Sequence, residues 1–128
     1  MDPQEINAPL HAGAPGKLLL AYLPESRINQ ILDATGLPQY TDITITDRAK
    51  LFQQLEDIRR NGVAVSHGEH IDLLSTVAAP IKNYMGEVVA AMSISWITRP
   101  SWQDTEEKYK RLATDTAANI SRGLGYFG

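Results

Sequence analysis

Apolar residues recur at helical spacing most clearly after Thr46 and Asp47, either of which can cap a helix there. The apolar positions fall on one face, the glutamines and charged residues fall on the other, and Asn61-Gly62 supplies a stop. The pattern therefore predicts a helix ending near residue 61, with its buried face formed by Leu51, Phe52, Leu55 and Ile58.

Three more helices are predicted from their start and stop signals. Pro15, followed by good helix formers, predicts a helix over residues 15–22. Pro24 predicts a second helix in the same way, which begins at residue 24 and ends at Gly36. Ser101-x-x-Asp104 can cap a last helix, which ends at Gly123 to Gly125. This last helix carries an apolar face formed by Tyr109, Leu112, Ala113, Thr116, Ala117, Ile120 and Leu124.

Strands are predicted between these helices. Residues 62–66 form one, and residues 73–81 and 88–96 form a β-hairpin around a turn at residues 83–86. Residues 41–46 alternate as a short strand or an extended link would. With no repeated strand-helix-strand crossover, the pattern predicts an α+β fold, with an antiparallel sheet and helices packed on one side of it.

The hairpin register decides which hydroxyl side chains share a face. With a four-residue loop, Thr76 lies opposite Ser93 and Leu74 lies opposite Ser95. A loop that differs by one residue would bring Ser75 to that face in place of Thr76. Three hydroxyls on one face predict either a polar ligand or, if that face is exposed, an ordinary solvated surface.

The loop that enters the first helix offers a second candidate for ligand binding. Residues 11–17, HAGAPGK, bring a flexible backbone to a helix start, where free N–H groups and the helix dipole favour an anion. Leu18 follows Lys17 where a nucleotide-binding P-loop has Ser or Thr, so nucleotide hydrolysis is unsupported. The alternative is a tight turn that uses glycine for its backbone freedom.

Metal binding and catalysis receive weaker support. His67, Glu69, His70 and Asp72 are potential metal ligands, but their spacing suits a solvated polar loop better, and no metal or cofactor is expected. A serine near His67 could form a catalytic dyad, yet no G-x-S-x-G motif surrounds Ser93 or Ser95. We therefore expect a protein that is not an enzyme.

Composition narrows the class of partner. The 128 residues carry a net charge of −3, the wrong sign for an independent nucleic-acid binder. The chain has no cysteine, no apolar run long enough to span a membrane and no signal-peptide pattern, so we expect a cytoplasmic protein without membrane contact.

Four segments together resemble the effector-binding domain of the IclR family of transcriptional regulators. They are PLHAGAPGKLLLAYLP at 9–24, TDITITDRAKLFQQLEDIRRNGVAVSHGEH at 41–70, VAAPIKNYMGEVVAAMSIS at 77–95 and ISRGLG at 120–125. The resemblance implies a GAF-like or profilin-like domain over residues 9–128, incomplete at its N-terminus, after a polar segment at 1–8.

The resemblance also implies a function. Similar domains bind a small metabolite, often a carboxylate or sugar acid, and contact DNA only through a helix-turn-helix domain, which these residues lack. We also expect a homodimer or homotetramer. The implied ligand contacts are the backbone N–H groups of Gly13 and Ala14 and the side chains of Ser66, Thr76, Ser93 and Ser95. The alternative is a ligand-free structural or dimerisation module of the same fold.

Overall fold

The computed structural model describes residues 9–98 and 103–128. Its elements, in chain order, are α1 (Ala14–Ala21), α2 (Glu25–Thr35), α3 (Arg48–Asn61), β1 (Ala64–His67), β2 (Leu74–Lys82), β3 (Val88–Ile97) and α4 (Gln103–Gly123). The predicted α+β class with an antiparallel sheet is confirmed. Residues 41–46 form an irregular link, and the predicted cap at Ser101 lies outside the described residues.

Helix α3 has the ends that its sequence predicts. The Asp47 carboxylate accepts a hydrogen bond from the Ala49 N–H at 2.9 Å, which satisfies one of the free donors of the first turn. Gly62 ends the helix in the left-handed conformation, with φ 71°, and its N–H bonds to the Ile58 carbonyl.

Helix α1 begins in a crowded part of the molecule. A Cβ on Gly16 would lie 2.5 Å from the Pro9 carbonyl oxygen and 2.8 Å from the Leu10 Cα. Glycine is therefore required at this position by the close approach of the preceding backbone, and not only by turn geometry. The contact fixes the incoming chain against the first turn of α1.

The hairpin register differs from the prediction. Thr76 lies opposite Ser95 and Ala78 opposite Ser93, so the predicted pairs of Thr76 with Ser93 and of Leu74 with Ser95 are wrong. The connection is longer than four residues, with Lys82 paired to Val88 and a bulge at the end of β2. Because the shift is two residues, every side chain keeps its predicted face.

The sheet has helices on both faces, so the prediction of helices on one side is wrong. Strand β2 is central, between β1 and β3. Ala64 and Ala78 join the core of α1, α2 and α3 on one face, whereas Val77, Ala79 and Trp96 pack with α4 on the other. Burial on both faces explains why β2 is almost continuously apolar in its centre.

Helix α4 contacts the sheet through small residues. Ala113, Ala117 and Ser121 are buried, whereas Leu112 and Ile120 of the predicted buried face are 49% and 40% exposed. The predicted face is therefore only partly right. The short alanine side chains let the helix approach the sheet closely, and the larger Leu112 and Ile120 stay at the edge of the contact. Each helix within residues 9–98 and 103–128 is too short or too polar to span a membrane.

Candidate functional site

Three hydroxyl side chains form one rung across all three strands. Ser66 of β1 lies opposite Thr76 of β2, which lies opposite Ser95 of β3. Directly opposed residues point to the same face of a sheet, and the Oγ1 atom of Thr76 is 2.9 Å from the Oγ of Ser95. The rung therefore presents a polar row on the face that α1 covers.

The start of α1 is tied to this rung. The buried Ala14 N–H donates to the Ser66 Oγ at 2.9 Å, although the two residues are 52 apart in sequence. No side chain caps α1 from its own N-cap position, Gly13, so Ser66 supplies an acceptor for a free donor of the first turn. The helix start and the strand rung thus belong to one hydrogen-bonded unit.

Donors remain in this unit after its internal hydrogen bonds are made. The Ser66 oxygen accepts from Ala14, and the Ser66 hydroxyl hydrogen has no acceptor among the described residues. Of the Thr76 and Ser95 hydroxyls, one donates to the other, which leaves one hydrogen. The rung can therefore donate two hydrogen bonds to acceptor atoms on a bound molecule.

An open cavity of about 320 Å³ lies over the rung. Its size is within the usual range for small-molecule pockets, roughly 300 to 1,000 Å³. Gly13, Ser66, Thr76 and Ser95 all line it, as do Glu69 and His70. The rest of the wall is mainly apolar and includes Pro9, Leu10, Leu19, Ile71 and Leu74. Apolar walls with a few convergent polar groups are typical of sites for small organic molecules.

A buried ion pair lies beside the cavity and was not predicted as part of a site. The Lys17 Nζ is 2.7 Å and 2.8 Å from the two Glu69 carboxylate oxygens and donates to the Gln54 Oε1 at 2.9 Å. The side chains are only 3% and 13% exposed. A single lysine within the apolar run of α1 is the sequence signal for such a pair, since buried lysines need a partner.

The pair changes the role that the helix start can have. We expected the segment from Gly13 to Lys17 to favour an anion, but the Lys17 charge is already matched by Glu69. The Ala14 N–H is likewise used by Ser66. Of the predicted contact groups, the hydroxyl rung and the Gly13 backbone remain for a ligand.

Ser93 is separated from the other predicted site residues. It lies opposite Ala78, one rung pair away from Ser95, is exposed and does not line the cavity. Of the six predicted contacts, four line the cavity, the Ala14 N–H is bonded to Ser66, and Ser93 lies outside.

The histidine-rich loop does not gather into a metal site. His67 contacts Ser75 at 2.9 Å and Glu106 at 2.7 Å, Glu69 pairs with Lys17, and the His70 ring packs edge-on against Tyr40. Among the residues that the structure describes, no three potential ligands converge.

His67 also does not form the dyad considered with Ser93 or Ser95. Its serine partner is Ser75, which is fully buried and also contacts the Thr98 hydroxyl. A nucleophile must reach its substrate, and the buried Ser75 cannot. The contacts of His67 with Ser75 and Glu106 instead tie β1, β2 and α4 together.

Residues 6–122 match the family described as Bacterial transcriptional regulator IclR C-terminal. The chain is similar to the HTH-type transcriptional repressor AllR of Escherichia coli K12, with 41% identity over 120 residues. These cover 91% of this chain and 43% of AllR. The chain therefore spans less than half the length of that relative.

Two solved structures have the same fold. The C-terminal domain of the E. coli regulator KdgR superimposes with a TM-score of 0.84 at 32% identity, over 92% of this chain and 72% of that one. The inducer-binding domain of the Acinetobacter transcription factor PobR, a double mutant in complex with 3-hydroxybenzoic acid, gives 0.79 at 26% identity. That match covers 89% and 66% of the two chains. With a family match over most of its length, this chain belongs to the IclR C-terminal family of bacterial transcriptional regulators.

Proposed function

We propose that this chain is the metabolite-sensing domain of a cytoplasmic transcriptional regulator and that the cavity over the hydroxyl rung binds the effector. The observation that carries the proposal is the aligned row of Ser66, Thr76 and Ser95, with two hydroxyl hydrogens available beneath an open cavity. Family membership supports the regulatory role, and DNA contact would come from a different domain of the regulator.

The chemistry of the cavity favours an effector with acceptor oxygens on one end and an apolar or compact body. The two hydroxyl donors and the Gly13 backbone suit a carboxylate or the hydroxyl and carboxylate groups of a sugar acid. The 3-hydroxybenzoic acid in the PobR domain is a carboxylic acid of this general kind. Because the charges of Lys17 and Glu69 cancel, recognition of the effector depends on hydrogen bonds more than on net charge.

Isothermal titration against keto acids, sugar acids and hydroxybenzoic acids tests this proposal, with Ser95→Ala and Ser93→Ala as a matched pair. Both serines are exposed on the same strand and face, two residues apart, but only Ser95 lines the cavity. We expect Ser95→Ala to weaken binding by about tenfold, the effect of one hydrogen bond to a charged group, and Ser93→Ala to leave it unchanged.

Equal effects of the two substitutions would contradict the assigned cavity. If no acid binds more tightly than about 1 mM to the folded chain, the sensing role fails and a ligand-free structural or dimerisation module becomes the better description. Sedimentation with and without ligand then tests the oligomer, which we expect to be a homodimer or homotetramer.

A further inference from the structure

A second cavity lies near the end of α1, whereas the hydroxyl rung lies at its start. Its volume is about 360 Å³. Its wall is formed by Tyr22 after α1, by Asn61 at the end of α3, by the end of β2 and by the last turns of α4. The hydroxyl rung is bonded to the start of α1 and Tyr22 directly follows its end, and the eight residues of the helix correspond to roughly 12 Å. None of the residues predicted to contact the effector lines this second cavity.

Cations and aromatic rings are concentrated around this cavity. The Lys82 Nζ lies 5.9 Å from the centre of the Tyr22 ring and 5.3 Å from that of Tyr126. Arg122 also lines the cavity, whereas no aspartate or glutamate side chain does. The cavity therefore carries two cations and no acidic side chain, although the chain as a whole has a net charge of −3.

Two further observations show that the wall is partly withdrawn from water and positively charged. Burial raises the pKa of the Tyr22 hydroxyl, and the nearby Arg59 guanidinium opposes that rise. Lys82 forms no ion pair within residues 9–98 and 103–128, and its ammonium lies against the two rings. A partly desolvated cation gains from a counter-charge more than an exposed one does.

The local fold fixes this arrangement before any ligand arrives. The N–H of Tyr126 bonds to the Ser121 carbonyl and that of Gly125 to the Arg122 carbonyl, which is a Schellman ending of α4 with Gly125 at φ 94°. This ending turns the Tyr126 ring over Lys82. In addition, the Lys82 N–H donates to the Ser121 Oγ at 2.9 Å, which joins the strand end to the helix.

We propose that this second cavity, bounded by Tyr22, Lys82, Arg122 and Tyr126, binds a small aromatic carboxylate. The carboxylate pairs with the Lys82 ammonium and the Arg122 guanidinium, and the ring packs among the tyrosines and the small side chains of Ala79, Pro80, Ala117 and Ala118. The site is separate from the proposed effector cavity and does not depend on the function proposed for it.

Benzoate is a suitable probe, and NMR chemical-shift mapping on the 128-residue chain is a suitable measurement. We expect saturable shifts at Tyr22, Lys82, Ala117 and Tyr126 with a Kd of about 1 mM or tighter. Cyclohexanecarboxylate, which lacks the planar ring, and benzamide, which lacks the charge, are expected to bind at least about threefold more weakly.

Matched variants separate a specific site from a general charge effect. Lys82→Gln and Arg122→Gln are each expected to weaken benzoate binding by about tenfold. Lys110→Gln removes the same charge from α4 at a lysine paired with Glu107, and we expect it to leave binding unchanged. Heteronuclear NMR spectra of each variant verify that the fold is intact, and Arg122→Gln supplies the test if Lys82→Gln does not fold.

The proposal is overturned if benzoate does not saturate any of these signals. It is also overturned if Lys82→Gln and Lys110→Gln weaken binding equally, or if the shifts occur at Gly13, Ser66 and Thr76 instead. In that last case benzoate binds in the effector cavity, which would support the proposed function while removing the second site. Loss of binding in Ser95→Ala with retention in Lys82→Gln would lead to the same conclusion.

Discussion

At the scale of single residues, the buried contacts around the hydroxyl rung matter more than the exposed ones. Replacing Ser66 by Ala removes the acceptor of the buried Ala14 N–H, and an unsatisfied buried donor costs roughly 1 to 3 kcal/mol. We expect the free energy of unfolding in urea to fall by about that amount. Ser93→Ala, at an exposed position, is the control and should change stability by less than about 0.5 kcal/mol.

The ion pair of Lys17 and Glu69 gives a second prediction at this scale. Glu69→Gln leaves a lysine with a 3% exposed side chain without its counter-charge, which is expected to cost about 3 kcal/mol. Glu56→Gln interrupts the exposed pair with Arg60, where both side chains are 66% exposed, and should cost less than about 1 kcal/mol. Chemical denaturation measures the free energy of unfolding of both variants. Similar decreases would show that the buried pair contributes no more to stability than the exposed pair.

At the scale of elements, the end of α4 distinguishes two glycines that look alike in sequence. Gly123 is helical and has nothing within 4 Å of an added Cβ, so Gly123→Ala is expected to stabilise the chain by about 0.5 kcal/mol. Gly125 has φ 94°, and a Cβ there would lie 3.0 Å from that of Tyr84, so Gly125→Ala is expected to destabilise it by at least about 1 kcal/mol.

Thermal unfolding of both variants tests this difference in sign. If both substitutions raise or both lower the melting temperature, the Schellman ending is not the feature that fixes Tyr126. If Gly125→Ala also releases the Tyr126 ring from Lys82, as we expect, the ring signals in the NMR spectrum will shift as well.

At the scale of the whole molecule, β2 couples the two sides of the core. Val77 and Leu20 are both fully buried, Val77 on the α4 side and Leu20 on the side of α1, α2 and α3. We expect Val77→Ala and Leu20→Ala to cost about 2 and 3 kcal/mol and to shift one common unfolding transition. Far-UV circular dichroism and tryptophan fluorescence should give coincident curves, and separate transitions would mean that the two sides fold independently.

Much of this molecule follows from its sequence. Helical periodicity and capping residues determined α3 from Asp47 to Gly62, and strand patterning determined the hairpin, because both signals depend on neighbours within a few residues. The same local logic identified the loop at Gly13 and the hydroxyls of Thr76, Ser93 and Ser95 as separate candidates. Ser66, and the joining of the loop and the hydroxyls in one site, were implied only by the family resemblance.

Tertiary structure alone decided the rest, since those features depend on partners distant in the chain. The bulge after Ile81 set the register that pairs Thr76 with Ser95, and Ser66 met Ala14 across 52 residues. The packing of α4 on the sheet buries Ala113 and leaves Leu112 exposed. Periodicity reports which residues share a face, whereas the identity of the opposing surface, and hence of each buried partner, is set by long-range packing.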